Sequence, residues 1–95
     1  MKTILLATVL LLSSNLPASA SWISENVAVL IARAYVVGLD YPMEGSVEEE
    51  ISRAEKVDSS GYTFFVIDTS GDCGLTIFVN KDGSINQNKT KNKCY

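Results

Sequence analysis

The sequence predicts an α+β protein in which an N-terminal apolar helix and a second short helix pack on a three-stranded antiparallel β-meander with one disulfide. Three observations lead to this fold class. The segment 27–37 is almost continuously apolar, the segments 62–68 and 73–80 have the composition of strands, and Cys73 and Cys94 can be joined. The predicted element order is α-α-β-β-β within one domain.

The start of the chain has the three parts of a secretory signal peptide. Lys2 supplies a positive charge, the segment 4–12 is largely apolar, and Ala18 and Ala20 are the small residues that signal peptidase requires before the cut. The apolar segment has about half the roughly 20 residues of a membrane span. We therefore expect cleavage near Ala20 and a mature protein that is periplasmic or extracellular.

This cleavage divides the chain into residues 1–20, a cleavable secretory signal peptide, and residues 21–95, a single small α+β domain. The whole chain carries 8 basic and 11 acidic side chains, and Lys2 is the only charged residue removed, so the mature net charge is −4. Nucleic-acid-binding proteins rely on an excess of lysine and arginine, so we expect no nucleic-acid partner. Four lysines nevertheless lie in the segment 81–95. This basic tail is either solvated surface or a site for an anionic partner or lipid head groups.

The apolar segment is predicted to form a helix from Trp22 to Leu39. Ser24 or Ser21 can cap its start, and Gly38 is placed to end it. Its β-branched residues leave a strand as the alternative. Because nearly every side is apolar, either the helix is covered on two faces or one face stays open for a partner, a second copy or a membrane surface. It is too short to span a bilayer, so we expect no stable membrane insertion.

A loop and a second helix are predicted to follow. Pro42 and Gly45 are typical of a loop over 39–45, and the sequence from Ser46 to Glu49 matches a capping box, which begins a helix. The apolar residues of that helix have helical spacing and are Val47, Ile51, Ala54 and Val57. The loop is the candidate partner-binding surface, because binding residues are concentrated on exposed loops. Its candidate residues are Asp40, Tyr41, Met43 and Glu44.

The C-terminal half is predicted to form the meander. In the strand 62–68 both faces are largely apolar, so we expect this strand to be central. The strand 73–80 leads into a hairpin turn over 81–84, which contains the Asp-Gly pair typical of such turns. The third strand begins at Ile85 and soon becomes polar, which suits an exposed edge.

Cys73 and Cys94 are predicted to form the disulfide. Both lie in the exported part of the chain, where oxidising conditions favour pairing, and a hairpin that turns on Gly83 and Ser84 places them opposite each other. A domain of this size buries only about 60% of its unfolded surface and usually needs such a link. The bond should stabilise the fold by about 3 kcal/mol in the chain-entropy account.

The residue types available for chemistry are few. The chain has no histidine, the commonest general base and metal ligand. Asp68, Asp72 and Asp82 cluster around the turns, where aspartate is common anyway. Asn80, Asp82 and Ser84 alternate like calcium ligands, but the closing glutamate of a calcium loop is missing. We therefore expect no catalytic residues, no metal and no cofactor.

These exclusions favour a non-enzymatic protein that binds another envelope or secreted protein. An inhibitor, an immunity protein and an accessory factor are the types that fit a small acidic exported chain. A secreted effector that acts on membranes through the apolar helix is a less favoured hypothesis.

The stretch from Cys73 through Asp82 and Gly83, followed by Cys94, resembles the hairpin of the periplasmic C-terminal domain of TolA. In that domain a cysteine also opens a strand of alternating apolar residues, an Asp-Gly turn follows, and a second cysteine is bonded to the first. The resemblance implies an envelope protein that binds other proteins through its sheet edge and has no catalytic activity. A structural cell-envelope component of this kind is the alternative function.

Overall fold

The computed structural model describes residues 22–95, and the predicted signal peptide lies outside the described residues. The described chain combines helices with one antiparallel sheet, which confirms the α+β fold class. In chain order its elements are α1 (Glu25–Leu39), α2 (Val47–Glu50), β1 (Lys56–Asp58), β2 (Gly61–Ile67), β3 (Cys73–Asn80) and β4 (Lys91–Cys94).

The sheet has the strand order β1-β2-β3-β4, and every neighbouring pair is antiparallel. The prediction of a meander is therefore confirmed, whereas the predicted number of strands, three, is wrong. The additional strand is β1, which takes residues that the sequence assigns to the second helix. In β1, Val57 pairs with Tyr62 of β2.

The second helix begins as predicted and ends early. Ser46 and Glu49 form the capping box, but the helix ends at Glu50 and Ile51 leaves it with φ −123° and ψ 87°. The Arg33 side chain donates to the carbonyl oxygen of Ile51 at 2.8 Å and to that of Glu48 at 3.4 Å. A longer helix would have used these two oxygens, so the Arg33 guanidinium takes the place of the next helical turn.

The hydrophobic core lies between α1 and one face of the sheet. The α1 residues that face it are mostly small, which lets the helix approach the strands closely. They are Ala28, Val29, Ala32 and Val36. The strands contribute larger side chains from alternate positions, namely Tyr62, Phe64, Val66, Leu75, Ile77 and Val79. Ile51 completes the core from the segment after α2.

The last strand begins later than the sequence predicts. Ile85 makes a single bridge to Val79, and the chain then turns at Asn86. The Asn86 side chain accepts hydrogen bonds from the backbone N–H groups of Asn88 and Lys89, both at 3.1 Å. This local turn competes with strand pairing, so β4 starts only at Lys91.

The predicted disulfide is confirmed. Cys73 opens β3, Cys94 ends β4, and the two residues are direct partners in the antiparallel register. The bond therefore fixes β4, the outermost strand, to β3.

Candidate functional site

One side of α1 is apolar and open to solvent. Four residues recur at helical spacing on the side opposite the core, and we call Val27, Leu30, Ala34 and Val37 the outer stripe. Leu30 is 58% exposed and Val37 is 60% exposed. Single exposed apolar side chains are ordinary, but an apolar row that follows one helix face is typical of an interaction surface.

No charged side chain lies in the outer stripe: Glu25 and Asp40 lie at the two ends of α1, and Arg33 within the helix lies on another side. Ser24 caps the start by accepting from the N–H of Val27 at 3.3 Å. Gly38 does not end the helix as predicted, because Leu39 is still helical and Asp40 forms the cap with φ 55°. Arg33 turns away from the stripe toward the carbonyl oxygens after α2. The outer stripe is thus a continuous apolar surface.

The predicted contact loop is partly built into the fold. The Tyr41 hydroxyl donates to Asn92 Oδ1 at 3.1 Å. The backbone of Met43 forms an isolated antiparallel β-bridge with Asp68, the residue that follows β2. Tyr41 and Met43 are half-buried and pack against the core. Burial, and to a lesser extent the charge of Asp68, raise the pKa of Tyr41. Asp40 and Glu44 are exposed.

The four predicted contact residues therefore fall into an exposed pair, Asp40 and Glu44, and a pair that packs against the core, Tyr41 and Met43. Asp40 follows the last residue of α1 directly, so it lies next to the end of the outer stripe. Tyr41 and Met43 hold the loop against β2 and β4, and replacing either would affect stability as well as any contact. The outer stripe itself is absent from the predicted contact residues, although the 27-30-34-37 spacing is visible in the sequence.

The carboxylates near the turns are engaged by neighbouring donors. Asp68 Oδ1 accepts from the Ser70 hydroxyl at 2.7 Å and also from backbone N–H groups that follow it. Asp82 Oδ1 accepts from the Ser84 hydroxyl at 2.7 Å. Hydrogen bonds from Ser70 hold the pKa of Asp68 below its usual value, and those from Ser84 do the same for the pKa of Asp82. Such groups stabilise turns and are poor proton acceptors near neutral pH.

The lowered pKa values predict a loss of stability in acid. A carboxylate whose pKa is lower in the folded state stabilises the fold above its unfolded pKa, near 3.8, and this contribution disappears as the pH falls further. We expect Asp68→Asn to flatten the pH dependence of the free energy of unfolding as the pH falls below about 4. Urea unfolding at a series of pH values measures this slope. An equally steep slope in the variant would contradict the assignment.

Asn80, Asp82 and Ser84, which alternate like calcium ligands in the sequence, form hydrogen bonds with one another. Asn80 Nδ2 donates to the Ser84 hydroxyl at 3.0 Å, and Ser84 donates to Asp82, so the three polar side chains close the hairpin turn. Within residues 22–95, no three His, Cys, Asp or Glu side chains are grouped so that they could hold a metal ion. Between Trp22 and Tyr95 no helix has both the length and the hydropathy that a membrane span requires.

Open depressions lie around the sheet. One, of about 400 Å³, lies beside β1 and includes Glu25, whose Oε2 accepts from the N–H of Ala54 at 2.8 Å. A second, of about 450 Å³, lies at the end of β2 between Glu44 and Asp68. A third, of about 390 Å³, lies on the sheet face that α1 does not cover, and its charged side chains are lysines.

Comparisons with protein-family models, with curated proteins and with solved structures found no match to this chain. The similarity of the segment from Cys73 to Cys94 to the TolA domain therefore stays a prediction.

Proposed function

We propose that this is a small exported, non-enzymatic protein that binds another protein, of inhibitor, immunity or accessory-factor type, through the outer stripe of α1. The observation that carries the proposal is the exposure of Leu30 and Val37, at 58% and 60%, within one uninterrupted apolar helix face. Covering this face would remove apolar area from water, which is the main driving force of protein association.

A protein surface is a better match for the outer stripe than a lipid surface. Helices that lie in a membrane interface combine an apolar face with a lysine- and arginine-rich face. The other face of α1 is packed on the sheet, and the nearest charges at its ends are those of Glu25 and Asp40, which anionic lipids would repel.

Export is supported by the disulfide, because such bonds persist in oxidising compartments.

The test compares two valines of similar exposure. Val37→Glu places a charge in the outer stripe, and Val57→Glu places the same charge on β1, where the valine is 53% exposed. We expect Val37→Glu to weaken the complex at least tenfold, because the new carboxylate would be buried without a partner on binding. Val57→Glu should leave it unchanged.

The measurement is an affinity pull-down of the disulfide-bonded protein from periplasmic or secreted extract, followed by mass spectrometry and titration of the recovered partner. Circular dichroism should show that both variants remain folded, because both positions are exposed. Failure to recover a stoichiometric partner would overturn the proposal, as would equal losses with both valine variants. Leakage of anionic vesicles that depends on Val37 would assign the stripe to membranes instead.

A structural envelope component that acts through its sheet edge is the second candidate. It is favoured by β4, an edge strand in which all four residues are exposed. The Tyr95 N–H donates to the carbonyl oxygen of Asp72, so by antiparallel alternation the Asn92 N–H points away from β3. Asn92→Pro should therefore block pairing at this edge and leave the hydrogen bonds between β3 and β4 intact. It also removes the Oδ1 that accepts from Tyr41, so Asn92→Ala, which removes only that contact, is the control. An unchanged pull-down with the proline variant would remove the candidate.

A further inference from the structure

The sheet face opposite α1 carries a groove with two chemically different sides. Its cationic side consists of Lys89, Lys91 and Lys93, and its aromatic side is formed by Phe65 of β2. Tyr95 also lines the groove, which measures about 390 Å³. We call this the open-face groove. None of the described residues that line it is acidic.

The positions of the side chains follow from the strand register. Phe65 pairs with Thr76, and Thr76 pairs with Lys91, so these three lie in one row across the face. In the next row Gly74 pairs with Lys93. Lys91 and Lys93 are alternate residues of one strand, so their side chains project from the same face about 7 Å apart.

Gly74 determines where the Phe65 ring lies. A Cβ atom at Gly74 would overlap Phe65 Cζ and would lie 2.7 Å from Cε1, so the ring rests directly on the glycine. The ring thus lies down on the sheet beside Lys93 and does not project from it. A flat ring that is 37% exposed offers an apolar floor, whereas side chains that enter a bilayer must stand out from the protein surface.

The lysines are concentrated in an otherwise acidic protein. Three of the seven basic residues of the segment 21–95 line this groove, and the same segment carries eleven acidic residues. Charges separated by more than about 8 Å are largely screened at physiological salt, so a short anionic segment in the groove would interact mainly with the lysines. A long polyanion would extend over the acidic remainder of the surface and be repelled.

We propose that the open-face groove binds a short extended segment of a partner protein in which acidic and apolar residues alternate. In an extended chain alternate side chains lie about 7 Å apart on one side, which is the separation of Lys91 and Lys93. The acidic side chains would point to these lysines on one side of the groove, and the apolar side chains, which alternate with them, would point to Phe65 and the exposed Ile67 on the other side. This site goes beyond the proposed function, because it lies across the sheet from the outer stripe and does not depend on it.

The experiment measures fluorescence anisotropy of a labelled eight-residue peptide in which Glu and Val alternate, added to the disulfide-bonded protein. Controls are a peptide with four Glu followed by four Val, an alternating Lys-Val peptide, and oligothymidine. We expect the alternating Glu-Val peptide to bind most tightly, the block peptide about fivefold more weakly, and the affinity to fall as salt increases.

Charge reversal tests the cationic side. The double variant Lys91→Glu with Lys93→Glu should weaken binding of the Glu-Val peptide about tenfold or more. Arg53→Glu changes the charge of an exposed residue outside the groove and should have less than a twofold effect. Equal losses in the two variants would overturn the site, as would unchanged binding by the double variant.

Gly74→Ala tests the aromatic floor. The backbone φ of Gly74 is one that alanine can adopt, so the variant should fold, but its Cβ must displace the Phe65 ring. We expect weaker peptide binding with unchanged circular dichroism. If displacement of the ring has no effect, if the block peptide binds equally well, or if oligothymidine binds more tightly than the Glu-Val peptide, the proposed ligand is wrong.

Discussion

Phe64→Ala should cost about 3–5 kcal/mol of folding free energy, whereas Phe65→Ala, one residue further along the same strand, should cost about 1 kcal/mol. Phe64 is 1% exposed and lies in the core beneath α1, and Phe65 is 37% exposed on the opposite face of β2. The first substitution removes a fully buried ring and leaves a cavity, while the second removes a ring that rests on Gly74 and is still in contact with water.

The loss of about 3–5 kcal/mol expected for Phe64→Ala is a substantial fraction of the total folding free energy of a domain of this size. At about 0.05–0.15 kcal/mol per residue, the 75 residues of the segment 21–95 would have a total of roughly 4–11 kcal/mol. Urea unfolding followed by circular dichroism compares the two variants with the wild-type chain. Similar losses for the two phenylalanines would contradict the assignment of strand faces, and so would a larger loss for Phe65→Ala.

The strand faces could be predicted from the sequence because they depend on local alternation, and the disulfide because the chain has two cysteines and both lie in the predicted exported segment. Alternation in 62–68 assigns Phe64 and Phe65 to opposite sides, and the cysteine positions predict the pairing of Cys73 with Cys94. The capping box at Ser46 likewise begins a helix where expected. The strand faces and the capping box are determined within a few residues. The hairpin does not keep one register as far as the cysteines, because Val79 bridges Ile85 whereas Thr76 pairs with Lys91, and the turn at Asn86 shifts the pairing so that Cys94 lies opposite Cys73.

The elements that the sequence misassigns depend on distant or competing partners. The second helix ends because Arg33, which precedes Glu48 by 15 residues, donates to the carbonyl oxygens at its end. The polar segment after Ile85 leaves the sheet because the Asn86 side chain binds the backbone that follows it. Neither contact changes the hydrophobic pattern, so the periodicity of the segment 47–57 cannot separate a long helix from a turn followed by β1.

The candidate surfaces were harder to predict because exposure is a property of the whole fold. An all-apolar α1 is compatible with burial on both sides, and only the absence of a second layer over Leu30 and Val37 within the described residues leaves the outer stripe open. The open-face groove in turn requires the pairing of β2 with β3 and of β3 with β4, which brings Phe65 to the same face as Lys91 and Lys93.

Removing the disulfide should destabilise the protein by about 3 kcal/mol and affect the two surfaces unequally. The bond spans 21 residues, and a closed loop of that length restricts the unfolded chain by this amount in the chain-entropy account. Cys73→Ser combined with Cys94→Ser removes the bond without leaving a free thiol. Reduction of the wild-type protein should give the same loss, which urea unfolding measures.

The unequal effect follows from the position of β4. All four β4 residues are exposed, so the strand is held by its pairing with β3 and by the bond at Cys94 rather than by burial in the core. Without the bond we expect the β4 amides to exchange with solvent early, while the amides of β2 and β3 stay protected.

Lys91 and Lys93 would then lose their fixed spacing, so the Glu-Val peptide should bind several-fold more weakly to the double serine variant. Partner binding by the outer stripe should persist, because α1 packs on β2 and β3. Equal protection of β4 with and without the bond, at unchanged peptide affinity, would show that the strand pairing alone maintains the open-face groove.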